Sequence, residues 1–116
     1  QHMRNTYNES DLLIYQTIND GSPRVVLEAI SCGLPVIAST HPGIDILDPM
    51  KEFILFTEFG DTEEMYRLIQ AVLSDHGSKT AIAIKGREKI QKCFSTEVVA
   101  QDYARFYNEF AVSFRR

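Results

Sequence analysis

The sequence has no tryptophan, only two cysteines and four prolines in 116 residues, and no long hydrophobic run. No apolar stretch approaches the roughly 18 residues a membrane-spanning helix needs, and no signal peptide opens the chain. Cys32 and Cys93 lie far apart and show no metal-ligand spacing, so no disulfide framework and no metal site is indicated. Both read as reduced thiols of a cytoplasmic protein. Positive charge is also scarce: 12 Lys and Arg face 16 Asp and Glu, a formal charge of −4 that argues against non-specific binding to nucleic acid or an anionic bilayer. Internal repeats, linkers and low-complexity segments are absent.

What remains is an ordinary globular composition, 44% apolar and 24% charged, in a length that suits one small core. Gln1-His2-Met3 reads as a cloning remnant and is set apart from the fold, which leaves 4–116 as a single unit. Asp11 to Thr17 is a short apolar run that reads as a buried strand. Pro23 to Ser31 reads as a buried helix, with Ser22 as N-cap, Pro23 as first helical residue and Gly33 ending it. Pro35 to Ser39 and Glu52 to Thr57 are further strands, separated by a loop with one helical turn around Ile44 to Leu47.

Helices then take over. Asp61 and Glu64 make a capping box, and Met65, Leu68, Ile69, Val72 and Leu73 follow at amphipathic spacing. A weaker helix, disturbed at Gly86, spans about Ser78 to Lys92. Ser95 caps a last one, whose Tyr103, Phe106 and Phe110 read as core packing. Strand, helix, strand, loop, strand, helix predicts an α/β fold: a Rossmann-like parallel sheet of about three strands flanked by helices. The first strand is either a short edge or the place where missing strands of a doubly wound domain would pair. In the second case the exposed edge invites homo-association.

Function concentrates in the segment from Asp20 to Ala29. It sets one acid, Asp20, in a turn before a helix start and a second, Glu28, inside an almost wholly apolar helix. A carboxylate there is costly unless something uses it, and the helix start offers backbone N–H groups to a phosphate. Ligands of open α/β sheets bind outside the carboxyl ends of the strands, where this turn falls. Plainer readings stand beside these: Asp20-Gly21 as a turn pair, Glu28 as an ion-pair partner of Arg24, and Arg24 as a solvated side chain. His41 is a structural loop residue or a contact of donor or acceptor, and Asp45 and Asp48 are loop acids.

From Ser10 to Phe110 the chain resembles the second half of the C-terminal domain of GT-B retaining glycosyltransferases of family 4, also called group 1. The matching landmarks are Ser10-Asp11-Leu12-Leu13-Ile14-Tyr15, Asp20-Gly21-Ser22-Pro23, Val26-Leu27-Glu28-Ala29, Cys32-Gly33-Leu34-Pro35-Val36-Ile37-Ala38, Pro42-Gly43-Ile44, Phe59-Gly60-Asp61 and Phe94-Ser95. The resemblance implies a nucleotide diphosphate sugar as donor substrate, a carbohydrate or lipid-linked acceptor, and neither metal nor cofactor. It implies Glu28 on the ribose, Asp20, Gly21 and Ser22 on the donor sugar, and Arg24 and Val25 at the diphosphate. Pro23 has no N–H to offer.

Two departures from the family pattern stand out: Asp20 replaces a Glu one methylene longer, and His41-Pro42 occupies a loop that often carries a further glycine. No catalytic residue is assigned. The resemblance also implies a cytoplasmic protein, with the inner membrane face as an alternative, and a chain that alone binds donor weakly and catalyses nothing. The alternative function is a degenerate, non-catalytic GT-B interaction module. A nucleotide-sugar epimerase fits the turn and helix less well.

Overall fold

The computed structural model describes residues 2–21 and 23–114. In order it contains helix α1 (His2–Glu9), strand β1 (Leu13–Tyr15), helix α2 (Arg24–Ser31), strand β2 (Val36–Ser39), the one-turn helix α3 (Pro42–Asp45), strand β3 (Ile54–Thr57) and helices α4 (Thr62–Ser74), α5 (His76–Phe94) and α6 (Thr96–Phe114). The three strands form one parallel sheet in the order β1-β2-β3. Leu13 pairs with Val36, and Val36 in turn with Ile54. The expected Rossmann-like α/β fold is therefore present.

The central strand explains how the layers are held. All four residues of β2 are buried, because helices cover both faces of the sheet. Side chains alternate along a strand, and the core divides accordingly. Val36 and Ala38 join Val26, Ala29 and Ile30 of α2 and Ile90 of α5. Ile37 turns the other way, onto Leu68 and Val72 of α4. Full burial of a side chain such as Ile37, Val26 or Ile44 stabilises by about 1.5–3 kcal/mol each.

Several expected boundaries move, each for a local reason. β1 is three residues long, not seven, because Gln16 and Thr17 leave the ladder to bond Thr57 and Ser39, while Asp11 turns outward to Lys79. It is also not fully buried: Ile14 is 46% exposed at the sheet edge. Pro23 is the N-cap of α2 rather than its first helical residue, since its ψ of 75° is not helical while its carbonyl accepts from the Val26 and Leu27 N–H groups. Ser22, expected as the cap, lies outside the described residues, as does Gln1. Gly33 does close α2, at φ +79°, with Leu34 N–H on the Ala29 carbonyl and Gly33 N–H on that of Ile30.

Asp75, not Ser78, starts α5 by accepting from the Gly77 and Ser78 N–H groups. Gly86 lies within that helix where it crosses the core; an added Cβ would come within 3.0 Å of Ile30 and 3.2 Å of Phe53. Half of the expected capping box forms: Asp61 accepts from the Glu64 N–H, but the Glu64 carboxylate pairs with Arg67. That pairing holds the Glu64 carboxyl below its ordinary range.

His2 and Met3 form the first residues of α1, whose Tyr7 is buried against α2. One expectation is corrected. The aromatic stripe of α6 is not core: Tyr103, Phe106 and Phe110 are 61%, 60% and 53% exposed. Helical spacing puts these rings on one face, and they pair with each other and with Tyr107 along the helix. The folded body does not extend far enough to cover them.

Candidate functional site

The carboxyl ends of the strands are polar and cross-tied. At the end of β2 the buried Ser39 hydroxyl donates to the Thr17 carbonyl (2.6 Å) and accepts the Thr17 N–H (2.9 Å). At the end of β3 the Thr57 hydroxyl accepts from the Gln16 side-chain amide at 3.0 Å. The chain leaving β1 is thereby fixed across the mouth of the sheet, and it delivers the turn that carries Asp20.

Two contacts position this turn. The Tyr15 hydroxyl donates to the Asp20 carboxylate. That bond, reinforced by burial, pushes the phenol up to about 12. The second contact is steric: a Cβ on Gly43 would come within 1.9 Å of the Asp20 carbonyl oxygen. α3 and the turn therefore meet backbone against backbone, in a way only glycine permits.

Beside them lies His41, 93% buried, given its 7% exposure. Its Nδ1 accepts from the Gly43 N–H at 3.2 Å, capping α3. Its Nε2 is buried without a hydrogen-bond partner among the described residues.

Glu28 sits a turn into α2, on the side facing α1. The Tyr7 hydroxyl donates to its Oε2 at 3.2 Å, and the Arg24 guanidinium lies 3.9 Å from its Oε1. Burial, and then the bond to Glu28, raise the Tyr7 phenol above its ordinary value. The Glu28 side chain, 44% exposed, lines a hollow of about 430 Å³ together with Arg4, Tyr7, Leu27 and Cys32. The plainer reading of Glu28, an ion-pair partner of Arg24, is thus also realised.

The structure thus separates the two acids into two tyrosine-held positions. Asp20 is at the strand mouth with Gly21, and Glu28 is beside the α1 hollow, whose lining does not include Asp20. Arg24 projects outward, its side chain 84% exposed, and Val25 is exposed next to it. Among the described residues α2 has no side-chain cap hydrogen bond at its start. Sequence reasoning missed Tyr7 and Tyr15. A phenol five residues before an acid was a usable signal for Tyr15, whereas Tyr7 belongs to a helix that was not anticipated.

Asp48 is a loop acid as expected, whereas Asp45 ends α3 and accepts from the Thr40 hydroxyl. Asp48 is 1% exposed and structural, accepting from the Glu52, Phe53 and Ile54 N–H groups at 2.9, 2.8 and 2.8 Å.

A three-stranded parallel sheet flanked by helices, with an acid-bearing turn at its carboxyl ends, defines a Rossmann-like α/β fold, in which ligands characteristically bind at those strand ends. Comparison with known proteins makes this more specific. The family model described as "Glycosyl transferases group 1" matches residues 1–75, and the chain belongs to that family.

Among relatives, the chain is 26% identical over 106 residues to a capsular polysaccharide biosynthesis glycosyltransferase, CapM, of Staphylococcus aureus, covering 90% of this chain and 27% of that protein. It is 26% identical over 93 residues to the lipopolysaccharide core biosynthesis glycosyltransferase LpsE of Rhizobium meliloti, covering 80% and 27%. The solved structure of sucrose-phosphate synthase from Thermosynechococcus elongatus superposes with a TM-score of 0.84 at 25% identity, covering 93% of this chain and 27% of that one. The chain thus spans about a quarter of the length of the relatives it matches.

Proposed function

We propose that this chain is the donor-binding part of a retaining glycosyltransferase, which moves a hexosyl unit from a nucleotide diphosphate sugar to a carbohydrate or lipid-linked acceptor. The observation that carries this reading is the placement of Glu28, held by Tyr7 at the edge of a hollow that could admit a ribose. A carboxylate that keeps accepting capacity suits two vicinal hydroxyls. In this reading Glu28 binds the ribose, and Asp20 and Gly21 contact the donor sugar, with Ser22 assigned there by resemblance alone. Arg24 and the Arg24 and Val25 amides meet the diphosphate at the start of α2, where the helix dipole favours negative charge.

The nucleotide sugar enters as substrate, and the proposal needs neither metal nor cofactor. Charge developing on the departing nucleoside diphosphate would be met by amide dipoles and basic groups. A cytoplasmic setting belongs to the same proposal; no helix among the described residues is long and apolar enough to cross a membrane. The β1 edge, with Ile14 exposed, is the surface through which copies would associate.

The test is a titration of UDP and GDP followed by backbone amide shifts. The expected result is weak, saturable movement at Arg24 to Glu28, with affinity reduced about tenfold in Glu28→Gln, the scale of one good hydrogen bond. Retention is read from the anomeric configuration of the first product formed by the full-length protein. The engagement of the Asp20 carboxylate by Tyr15 favours a second reading, a degenerate interaction module. Silence at millimolar UDP and GDP would select it.

A further inference from the structure

We propose that His41 is a diphosphate-recognising residue of this donor site, its Nε2–H donating to an oxygen of the distal phosphate of a nucleoside diphosphate. The proposal rests on the donor-binding reading above.

It starts from the hydrogen bonding of the ring. Nδ1 accepts the Gly43 N–H at 3.2 Å, so its lone pair is occupied and the ring proton of a neutral imidazole lies on Nε2. That Nε2 is buried and has no acceptor among the described residues. Leaving a buried donor unmade is unfavourable, so an N–H kept in this state is either a defect or one reserved for an incoming acceptor.

Position favours the second alternative. The ring's Cε1, bonded directly to Nε2, lies 3.1 Å from the point where a Gly43 Cβ would stand, and the Asp20 carbonyl oxygen crowds the same point at 1.9 Å. His41 therefore lies against the turn that precedes α2, at the carboxyl end of β2.

Chemistry selects the ligand. Nε2–H only donates, and phosphate oxygens only accept. A sugar hydroxyl can also accept this N–H, but only as a neutral oxygen, whereas a charged phosphate oxygen makes the stronger, charge-assisted bond. The Asp20 carboxylate, the nearby group that would repel a phosphate, is engaged by the Tyr15 hydroxyl.

The experiment follows the His41 ring nitrogens by ¹H–¹⁵N correlation in the full chain, on addition of UDP or GDP and, separately, of the matching monophosphate. The expected result is a shift of the His41 Nε2 signal with the diphosphate and not with the monophosphate. Two variants separate ligand binding from capping. His41→Asn keeps an acceptor near the Nδ1 position and removes the distal donor. His41→Gln keeps a distal N–H and gives up the cap.

The proposal expects His41→Asn to lose about tenfold in diphosphate affinity, with the monophosphate unaffected, and His41→Gln to retain the preference for diphosphate. A diphosphate that moves the Glu28 region while His41 Nε2 stays still, or a preference kept by His41→Asn and lost by His41→Gln, overturns this inference and leaves the donor-binding reading intact. Absence of any response to UDP or GDP overturns both.

Discussion

Replacing Gly43 with alanine tests the construction of the strand mouth most directly, because two physical effects predict opposite signs. Gly43 lies in α3 and its φ is not in the left-handed region, so helix propensity alone predicts a gain of up to about 1 kcal/mol for Gly43→Ala. The structure predicts a loss. The new Cβ would come within 1.9 Å of the Asp20 carbonyl oxygen, whereas even a close carbon–oxygen contact stays beyond about 3.3 Å. Turn and helix must therefore part by more than about 1 Å. Neither yields easily, since Ile44, the next residue, is fully buried and the turn is fixed through Tyr15.

Overpacking of this kind costs about 1–3 kcal/mol, and the rigidity of both partners puts the expected loss near the upper end. Urea unfolding of Gly43→Ala, with Gly21→Ala as a control that meets nothing within 4 Å, should show a lower midpoint only for the first. The Asp20 and Gly21 amide signals should move with it. A midpoint unchanged or raised, with those amides in place, would refute the close backbone approach.

Three further outcomes are expected. Tyr15 should lose its proton near 12 in an ultraviolet pH titration, above the ordinary 10 of a tyrosine, and Asp20→Asn should bring it back toward 10. Because the folded-state value is the higher one, the stability this bond contributes is complete below pH 10 and lost as pH rises toward 12. Asp48→Ala orphans three main-chain N–H groups, two of them buried, and should destabilise by about 3–5 kcal/mol in urea unfolding, among the larger effects for a loop residue. Phe106→Ser, on the exposed face of α6, should change stability by less than about 1 kcal/mol; a larger loss would restore the core reading of the stripe.

What the sequence disclosed follows from the range over which each signal acts. The three strands and α4 were legible because their patterns are local: continuous apolar runs for a doubly covered sheet, and a helical period behind Asp61. The Gly33 terminator was legible for the same reason, since its left-handed backbone is a property of one residue. Contacts between distant segments were not. Nothing in the apolar spacing of Tyr103, Phe106 and Phe110 says whether a partner surface exists to cover them. Gly86 looked like a flaw in a helix until the crossing with Ile30 and Phe53 gave it a use. At the site, the acids were visible as costly residues, but the phenols that hold them, one of them 21 residues away, were not.

Those phenols also bear on how the site works. α2 begins without a side-chain cap among the described residues, so the position of its start is not set by the helix alone. Three contacts set it from outside: Tyr15 on the Asp20 carboxylate, Gly43 under the Asp20 carbonyl, and Tyr7 on Glu28. They come from three separate elements, β1, the α3 turn and α1. A ligand that draws Asp20 or Glu28 toward a hydroxyl competes with a phenol for the same oxygens, and part of its binding energy is spent on that exchange. The competition is uneven, because a carboxylate with two oxygens can keep its tyrosine on one and receive a ligand on the other. Glu28 shows this division: Tyr7 bonds Oε2, and the exposed Arg24 guanidinium lies 3.9 Å from Oε1. In the donor-binding reading proposed above, one oxygen of Glu28 ties α2 to α1 through Tyr7 while the other remains able to accept from a ligand.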